Sequence, residues 1–456
     1  MNVAITDSMV INGAAVSARL DRLPKWGIRL SAKIVFITAY FFSFYDIIAI
    51  GVTLPSIAHR FQLTGSEIAL PLTTSLLGYI IGSMVLGRIA DRLGRRIALF
   101  IAMLLLAVAS VACGFAWDIV SLAVFRLFVG IGIGSQVSLC ATMINELSPS
   151  HQRGANIQRN IIWAGIGDTL TPFIVMGFFL FGAIGWRLAL GFGVMALIPG
   201  VLMLWLPESP RWLATRGRVN EADAIVSDME ARLTQHGHQL PPVPSVSPAA
   251  MVSSHGSSGI LFKPPYLGRI VVITLYWTLL YIVIYGFLGF ETTLLNMMTI
   301  HAPKGVVYTA LGDLAFPVGA ALPLLLLGKV HRRILLALGS VIFMVGLILV
   351  AVSWGGVSMV IGAMIIALSI LFICGVGYTY TTEIFPTPVR AFAMGIADGG
   401  GHIGGVIAPY CVFAALSAWG ARGAFGMMAG LMAVCVLLIL IFGTNRTEEM
   451  PTQDFA

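Results

Sequence analysis

Apolar positions run along this chain in blocks rather than stripes. Stretch after stretch is hydrophobic on every face of a helix, and the polar residues gather in short turns between them. A helix that crosses the hydrocarbon core of a bilayer needs about 20 apolar residues. Twelve such stretches begin near Ser31, Glu67, Ile97, Ile119, Ile157, Trp186, Gly268, Gly305, Ile334, Gly356, Ala391 and Gly420. The pattern predicts an all-α membrane protein with twelve transmembrane helices. Its one long interruption, Pro207 to Pro265, sets the expected organisation: an N-terminal segment 1–30, a six-helix bundle 31–206, a linker 207–267, a second six-helix bundle 268–443 and a tail 444–456.

Within the linker the periodicity changes. Ala222, Ile225, Val226, Met229 and Leu233 recur at helical spacing with acidic residues opposite, which predicts an amphipathic helix on the cytoplasmic face. Pro241–Gly259, rich in Pro, Ser and Gly, reads as a flexible linker.

Composition agrees with lipid as the solvent: 58% of residues are hydrophobic and 10% charged. The net charge of +7 is not spread as a nucleic-acid surface would be, and no nucleic-acid partner is expected. Arg60, Arg187, Lys304 and Arg422 fall on one side of the predicted bundle and Arg126 lies inside a span, whereas every other Lys and Arg falls in the opposite turns and termini. By the positive-inside rule that side, with both termini, is cytoplasmic. The expected location is the cell membrane, multi-pass, and the inner membrane in a bacterium. Five cysteines lie in apolar spans without metal-ligand spacing, so no metal or cofactor is expected. The first thirty residues lack a cleavable signal pattern, and the first helix is expected to direct insertion.

The chain also repeats itself. Glu146, a proline and Arg153 at the end of the fourth span match Glu383, a proline and Arg390 at the end of the tenth, offset by 237 residues. The same offset carries Pro172 onto Pro409 and Phe173 onto Tyr410. Duplicated halves of this kind place a substrate between them near the bilayer midplane.

Four motifs stand in the turns and spans: Gly87-x-x-x-Asp91-Arg92-x-Gly94-Arg95-Arg96, then Arg126-x-x-x-Gly130-x-Gly132-x-Gly134, then Pro207-Glu208-Ser209-Pro210-Arg211-Trp212-Leu213, and Glu383-x-Phe385-Pro386-Thr387-x-x-Arg390. Together they resemble the sugar-porter-like branch of the major facilitator superfamily. Arg19-Leu20-Asp21-Arg22-Leu23-Pro24 and Tyr45-Asp46-Ile47-Ile48-Ala49-Ile50-Gly51 are closer to its metabolite:proton symporters, a subgroup with carriers of nicotinate and aromatic acids. The resemblance implies two pseudo-symmetric bundles, transport by alternating access, and Asp46 with Arg126 as the proton-coupling pair. Gln136 and Tyr281 stand where phosphate symporters carry acids, which disfavours phosphate, and the sugar-carrier pattern in the seventh and tenth spans is incomplete.

Ionisable groups inside a membrane are costly, about 2.5–3.5 kcal/mol each on insertion scales, and commonly face an interior cavity. Asp46 and Arg126 lie at similar depths. An arginine beside a carboxylate favours its charged form, so proton occupancy can alternate with conformation; a static ion pair that fixes packing is the plainer reading. Asp168 is either a second proton site or substrate contact, or a bond between helices. Asp398 and His402 share one face of their helix; they form a proton relay, or Asp398 closes the inner gate with the charged turns. Glu291 and Asp313 read as solvated or gating groups toward the outer side. Trp277, Tyr281 and Tyr285, four apart, form either packing or an aromatic substrate wall, to which Gln136, Tyr378 and His402 are added. Gly87, Asp91, Arg92, Gly94, Arg95, Glu146, Arg153, Glu208, Arg211, Glu383, Arg390 and Asp398 make up the expected cytoplasmic gating network.

The function expected is proton-coupled symport of a small organic metabolite by a monomer, partnered only by substrate, protons and lipid. An organic acid is favoured because of the buried Arg126 and a basic interior turn. The alternatives are a sugar or polyol symporter, an uncoupled facilitator, drug efflux, or an intramembrane protease suggested by Tyr45-Asp46 and Gly165-x-Gly167-Asp168. The protease pattern lacks its Pro-Ala-Leu motif and separates the two aspartates by three helices.

Overall fold

The computed structural model describes residues 13–63, 65–243, 258–298, 305–353, 355–385 and 389–444. Most of Pro241–Gly259, Pro386–Pro388 of the tenth-span motif, Lys304 and nearly all of the tail lie outside the described residues.

Among the described residues all regular structure is helical. The spans are α1 (Leu30–Phe61), α2 (Leu70–Leu93), α3 (Arg95–Gly114), α4 (Ile119–Leu147), α5 (Arg153–Phe179), α6 (Gly182–Met203), α7 (Tyr266–Met298), α8 (Gly305–Leu326), α9 (Arg332–Val352) and α10 (Val357–Glu383). A final run, Arg390–Phe442, is broken at Gly420, where φ is 69°. Only a residue without a Cβ adopts that conformation readily. The chain reverses there: Arg333 at the start of α9 donates to the Ile439 carbonyl at 3.1 Å, and the Tyr380 hydroxyl near the end of α10 accepts from Thr444 N at 3.0 Å. The run is therefore two antiparallel helices, α11 before Gly420 and α12 after it. Among the described residues eleven helices are long and apolar enough to cross a membrane, and the last of them contributes two crossings.

The 237-residue repeat is visible in the packing. A side chain at Gly82 would collide with the Ile131 carbonyl, and one at Gly319 with the Leu368 carbonyl, 237 residues on in each case. Gly167 packs against the Phe41 backbone and Gly404 against that of Thr278, again at that offset. Glycine at these crossings lets two backbones approach, the means by which helices associate without a hydrophobic drive. The same interval relates two ion pairs, Arg95–Glu146 at 3.0 Å and Arg332–Glu383 at 3.1 Å.

The halves meet along α1 with α7, α2 with α11, and α5 with α8. Thr169 on α5 donates to the Asp313 carbonyl at 2.5 Å, and Gln158 to the Ala320 carbonyl at 2.6 Å. Where α1 and α7 cross, Gly51 sits against the Leu288 backbone.

At one end of the bundle lies a layer of surface helices. The amphipathic helix forms over Val219–Gln235 and buries Ala222, Val226, Met229 and Leu233. Its apolar stripe covers the chain's own N-terminal segment, with Met229 against Gly27, while Arg19 and Arg22 reach Glu230.

Candidate functional site

Asp46 on α1 and Arg126 on α4 meet inside the first half, the carboxylate fully buried and the guanidinium 1% exposed. Arg126 Nη1 lies 3.5 Å from Asp46 Oδ1, Nη2 donates to the Asp46 carbonyl at 3.4 Å, and Nε donates to Ser75 Oγ at 2.9 Å. Ser110 on α3 donates to Asp46 Oδ2 at 3.0 Å. Gly193 on α6 makes room, since a side chain there would overlap both the Asp46 carboxylate and the Ser110 hydroxyl. Charge-assisted bonds close to about 2.7–2.9 Å when optimised, so at 3.5 Å the pair is compensated without being clamped.

Between the halves lies a separate cavity of about 320 Å³. From α7, α10 and α11, Tyr281 donates to Asp398 Oδ1 at 2.6 Å and Tyr378 to the same oxygen at 3.3 Å. The His402 ring touches three aromatic side chains. It stacks on Tyr79 of α2 with centroids 4.4 Å apart, lies 4.3 Å from Tyr281, and bonds Tyr285 Oη through Nε2 at 3.2 Å. Its Nδ1 is 2.8 Å from the Asp398 carbonyl. A carbonyl only accepts, so Nδ1 carries a proton there, and Asp398 Oδ1 lies 3.8 Å from the same nitrogen. Asp168 enters the cavity from α5, with Tyr40 and Tyr79 from the first half. It is 3% exposed, and its Oδ1 has no hydrogen-bond partner among the described residues.

Several expected residues sit elsewhere. Asp398 does not join the charged turns. It is eight residues into α11, about 12 Å along a helix, which brings it to the cavity and the two tyrosines. Trp277 stands behind the cavity wall, stacked on Tyr378 at 5.0 Å and bonded to Thr381 at 3.0 Å. Gln136 faces away, donating to Cys140 Sγ at 3.2 Å. Glu291 and Asp313 are not solvated: they are 2% and 1% exposed, and Asp313 lies within electrostatic reach of both Glu291 and Asp168. Sequence reasoning missed Tyr40, Tyr79, Ser75 and Ser110, isolated polar or aromatic residues in apolar helices that carry no periodic signal.

The charged turns form two clusters. Arg95 reaches Glu146 and, at 3.1 Å, Asp91. Gly94, with φ 100°, leaves space for Glu208, whose carboxylate accepts from the backbone N of Arg95 and Arg96 at 3.1 and 3.2 Å. An anion at the first turn of α3 is where the helix dipole favours one. Arg153 and Arg211 both turn to Asp21, at 3.6 and 2.8 Å, rather than to the Asp91 turn. Arg92 is exposed, a side chain at Gly87 would face open space, and Arg390 opens α11. Among the described residues no group of three His, Cys, Asp or Glu side chains could hold a metal ion.

Comparison with known proteins gives this geometry a setting. The inner membrane metabolite transport protein YdjE of Escherichia coli is 26% identical over 82% of this chain and 83% of its own. The niacin transporter NiaP of Acinetobacter baylyi is 26% identical over 94% of this chain and 97% of its own. The arabinose-proton symporter of Bacillus subtilis is 27% identical, with coverages of 85% and 82%. Among solved structures, the partially occluded inward-open xylose transporter XylE of E. coli superposes with a TM-score of 0.75 at 19% identity, covering 92% of this chain and 99% of that one; the fold is that of the major facilitator superfamily. The profile described as "Sugar (and other) transporter" matches residues 32–450. The protein is a multi-pass membrane transporter and not an enzyme, and it belongs to the sugar (and other) transporter family.

Proposed function

We propose that this protein is a proton-coupled symporter that carries a small ring-bearing metabolite through the central cavity, with residues 31–206 and 268–443 rocking about it as a monomer and both termini in the cytoplasm. The observation that carries the reading is the buried Asp46–Arg126 pair, separate from the cavity and loose enough at 3.5 Å to part. When Arg126 is near, Asp46 is balanced by a fixed cation; when a helix shift withdraws it, a proton takes that place. Proton occupancy thus follows the conformation that also opens the cavity. Relatives named as an arabinose-proton symporter and a niacin transporter support this reading, and the concentration of basic residues at the surface-helix end supports the orientation.

Of the substrate classes the sequence leaves open, the organic acid leaned on Arg126. That guanidinium is engaged by Asp46 and Ser75, so it offers a carboxylate no free anchor.

A thermal-shift screen over sugars, polyols and small organic acids and bases supplies a ligand, because binding to the folded state raises apparent stability. In proteoliposomes the wild type then accumulates that ligand under an imposed pH gradient, while Asp46→Asn loses accumulation and keeps exchange. Undiminished accumulation by Asp46→Asn overturns the coupling role, and exchange without accumulation by the wild type makes the protein a facilitator.

A further inference from the structure

The cavity's charge is one-sided. Asp168 and Asp398 both line it, and among its described lining residues there is no lysine or arginine. Arg126 is taken up behind it, and the lining's histidine, His402, turns its Nδ1 to Asp398, 2.8 Å from the carbonyl and 3.8 Å from Oδ1. Two further carboxylates, Asp313 and Glu291, stand buried behind Asp168 with oxygens unpartnered among the described residues.

An uncompensated carboxylate in a low-dielectric interior is unfavourable until a proton or another cation joins it. Asp398 has two tyrosine donors, whereas Asp168 Oδ1 has none among the described residues. Most of the rings lining the cavity, besides Phe44 and His402, are those of tyrosine, whose negative faces attract a cation within about 6 Å of the centroid. Tyr40, Tyr79, Tyr281 and Tyr285 all reach the space that Asp168 borders. The hydroxyls of Tyr281, Tyr285 and Tyr378 already bond Asp398 or His402, which leaves them poorly disposed to take the many hydroxyls of a sugar. An organic acid would bring a further negative charge to a lining that has no lysine or arginine to receive it and whose histidine already faces Asp398.

We propose that the substrate is a small ring-bearing organic cation, its charged nitrogen seated at Asp168 among the tyrosine rings, and that organic acids of the same size are rejected. This builds on the reading of the cavity as the transport site. It assigns Asp168 to the substrate and leaves the proton with Asp46.

Two probe sets matched in size and differing in charge test it on the full chain in detergent: 1-methylnicotinamide, nicotinamide and nicotinate, and benzylammonium, benzyl alcohol and benzoate. Equilibrium binding at neutral pH is expected to favour the cation over the neutral member of each set by tenfold or more, with the anion weakest. In Asp168→Asn the preference for the cation falls at least tenfold, while the neutral probes bind within threefold of wild type, which shows that the variant is folded. Failure of either cation to bind, equal or tighter binding of the anions, or a cation preference that survives in Asp168→Asn overturns the assignment. Because binding is read without a gradient, the two readings separate in proteoliposomes. A cation that binds but never crosses sinks the transport reading and leaves the charge assignment standing, whereas nicotinate carried inward with no cation bound does the reverse.

Discussion

Tyr79 of α2 and His402 of α11 stack ring on ring across the boundary between the halves, with centroids 4.4 Å apart and planes 11° from parallel. Since each belongs to a different half, any rocking that separates α2 from α11 must break the stack. Aromatic pairs contribute about 0.5–1.5 kcal/mol beyond their burial. Tyr79→Ala is therefore expected to shift the equilibrium between access states by about that amount, and Tyr79→Phe to leave it nearly unchanged. Distance distributions between spin labels on the far ends of α1 and α7 read the shift; identical distributions in Tyr79→Ala and wild type would show that the stack holds nothing.

Arg126 is balanced by one carboxylate, and removing one partner of a buried pair strands the other. Arg126→Ala should lower stability by about 3–5 kcal/mol, while the double variant Asp46→Asn with Arg126→Gln, in which both charges are gone, recovers most of the loss. Thermal unfolding in detergent compares them. If the double variant is as unstable as Arg126→Ala, shape and not charge is what this position supplies.

The twin pairs Arg95–Glu146 and Arg332–Glu383 differ in their surroundings. Arg95 also reaches Asp91, and its backbone N is held by Glu208. Both pairs are only partly exposed, and surface pairs are worth about 0.2–1 kcal/mol each. Arg95→Gln is expected to cost about 0.5 kcal/mol more than Arg332→Gln in an unfolding titration, with the difference shrinking at high salt. A larger loss in Arg332→Gln would reverse the ranking of the two turns.

Acid should loosen the surface layer. Burial pushes the Glu230 carboxyl up, but hydrogen bonds from Arg19 and Arg22 outweigh it and hold the group below its usual value near 4.5. A carboxyl held low contributes stability that is present above its unfolded value and lost as pH falls through the folded one. The helix Val219–Gln235 should therefore stay protected from hydrogen exchange at neutral pH and open as pH falls below the usual carboxylate range, through the lowered value of Glu230. Glu230→Gln should open it at neutral pH. Protection that persists unchanged in Glu230→Gln would mean that the apolar stripe alone holds the helix.

Helices were the most legible part of the chain because lipid demands long apolar runs and nothing else in the sequence produces them. Gly420, where one helical run becomes two crossings, fell at the start of an expected span. Asp46 and Arg126 were legible because a charge stands out in such a run. Depth was harder to read. Asp398 lies close in sequence to the charged turns, yet a few residues of helix carry it into the cavity. Glu291 and Asp313 looked outward by position along their helices, and packing against neighbouring spans buried them. Tyr79 had no signal of its own, since its importance comes from His402, which is 323 residues away. Gln136 and Trp277 have the right chemistry on helix faces that periodicity alone could not orient.

The ties described for the surface helices run to the N-terminal segment and the first bundle that follows it: Glu230 to Arg19 and Arg22, Arg211 to Asp21, and the Trp212 indole to the Asp91 carbonyl. That layer is ballast fixed to one arm of a see-saw. Whatever swing the first arm makes, it carries the layer along, and a weight hung on Val219–Gln235, such as a fused domain or an antibody fragment, would load that arm while the other pivots unburdened.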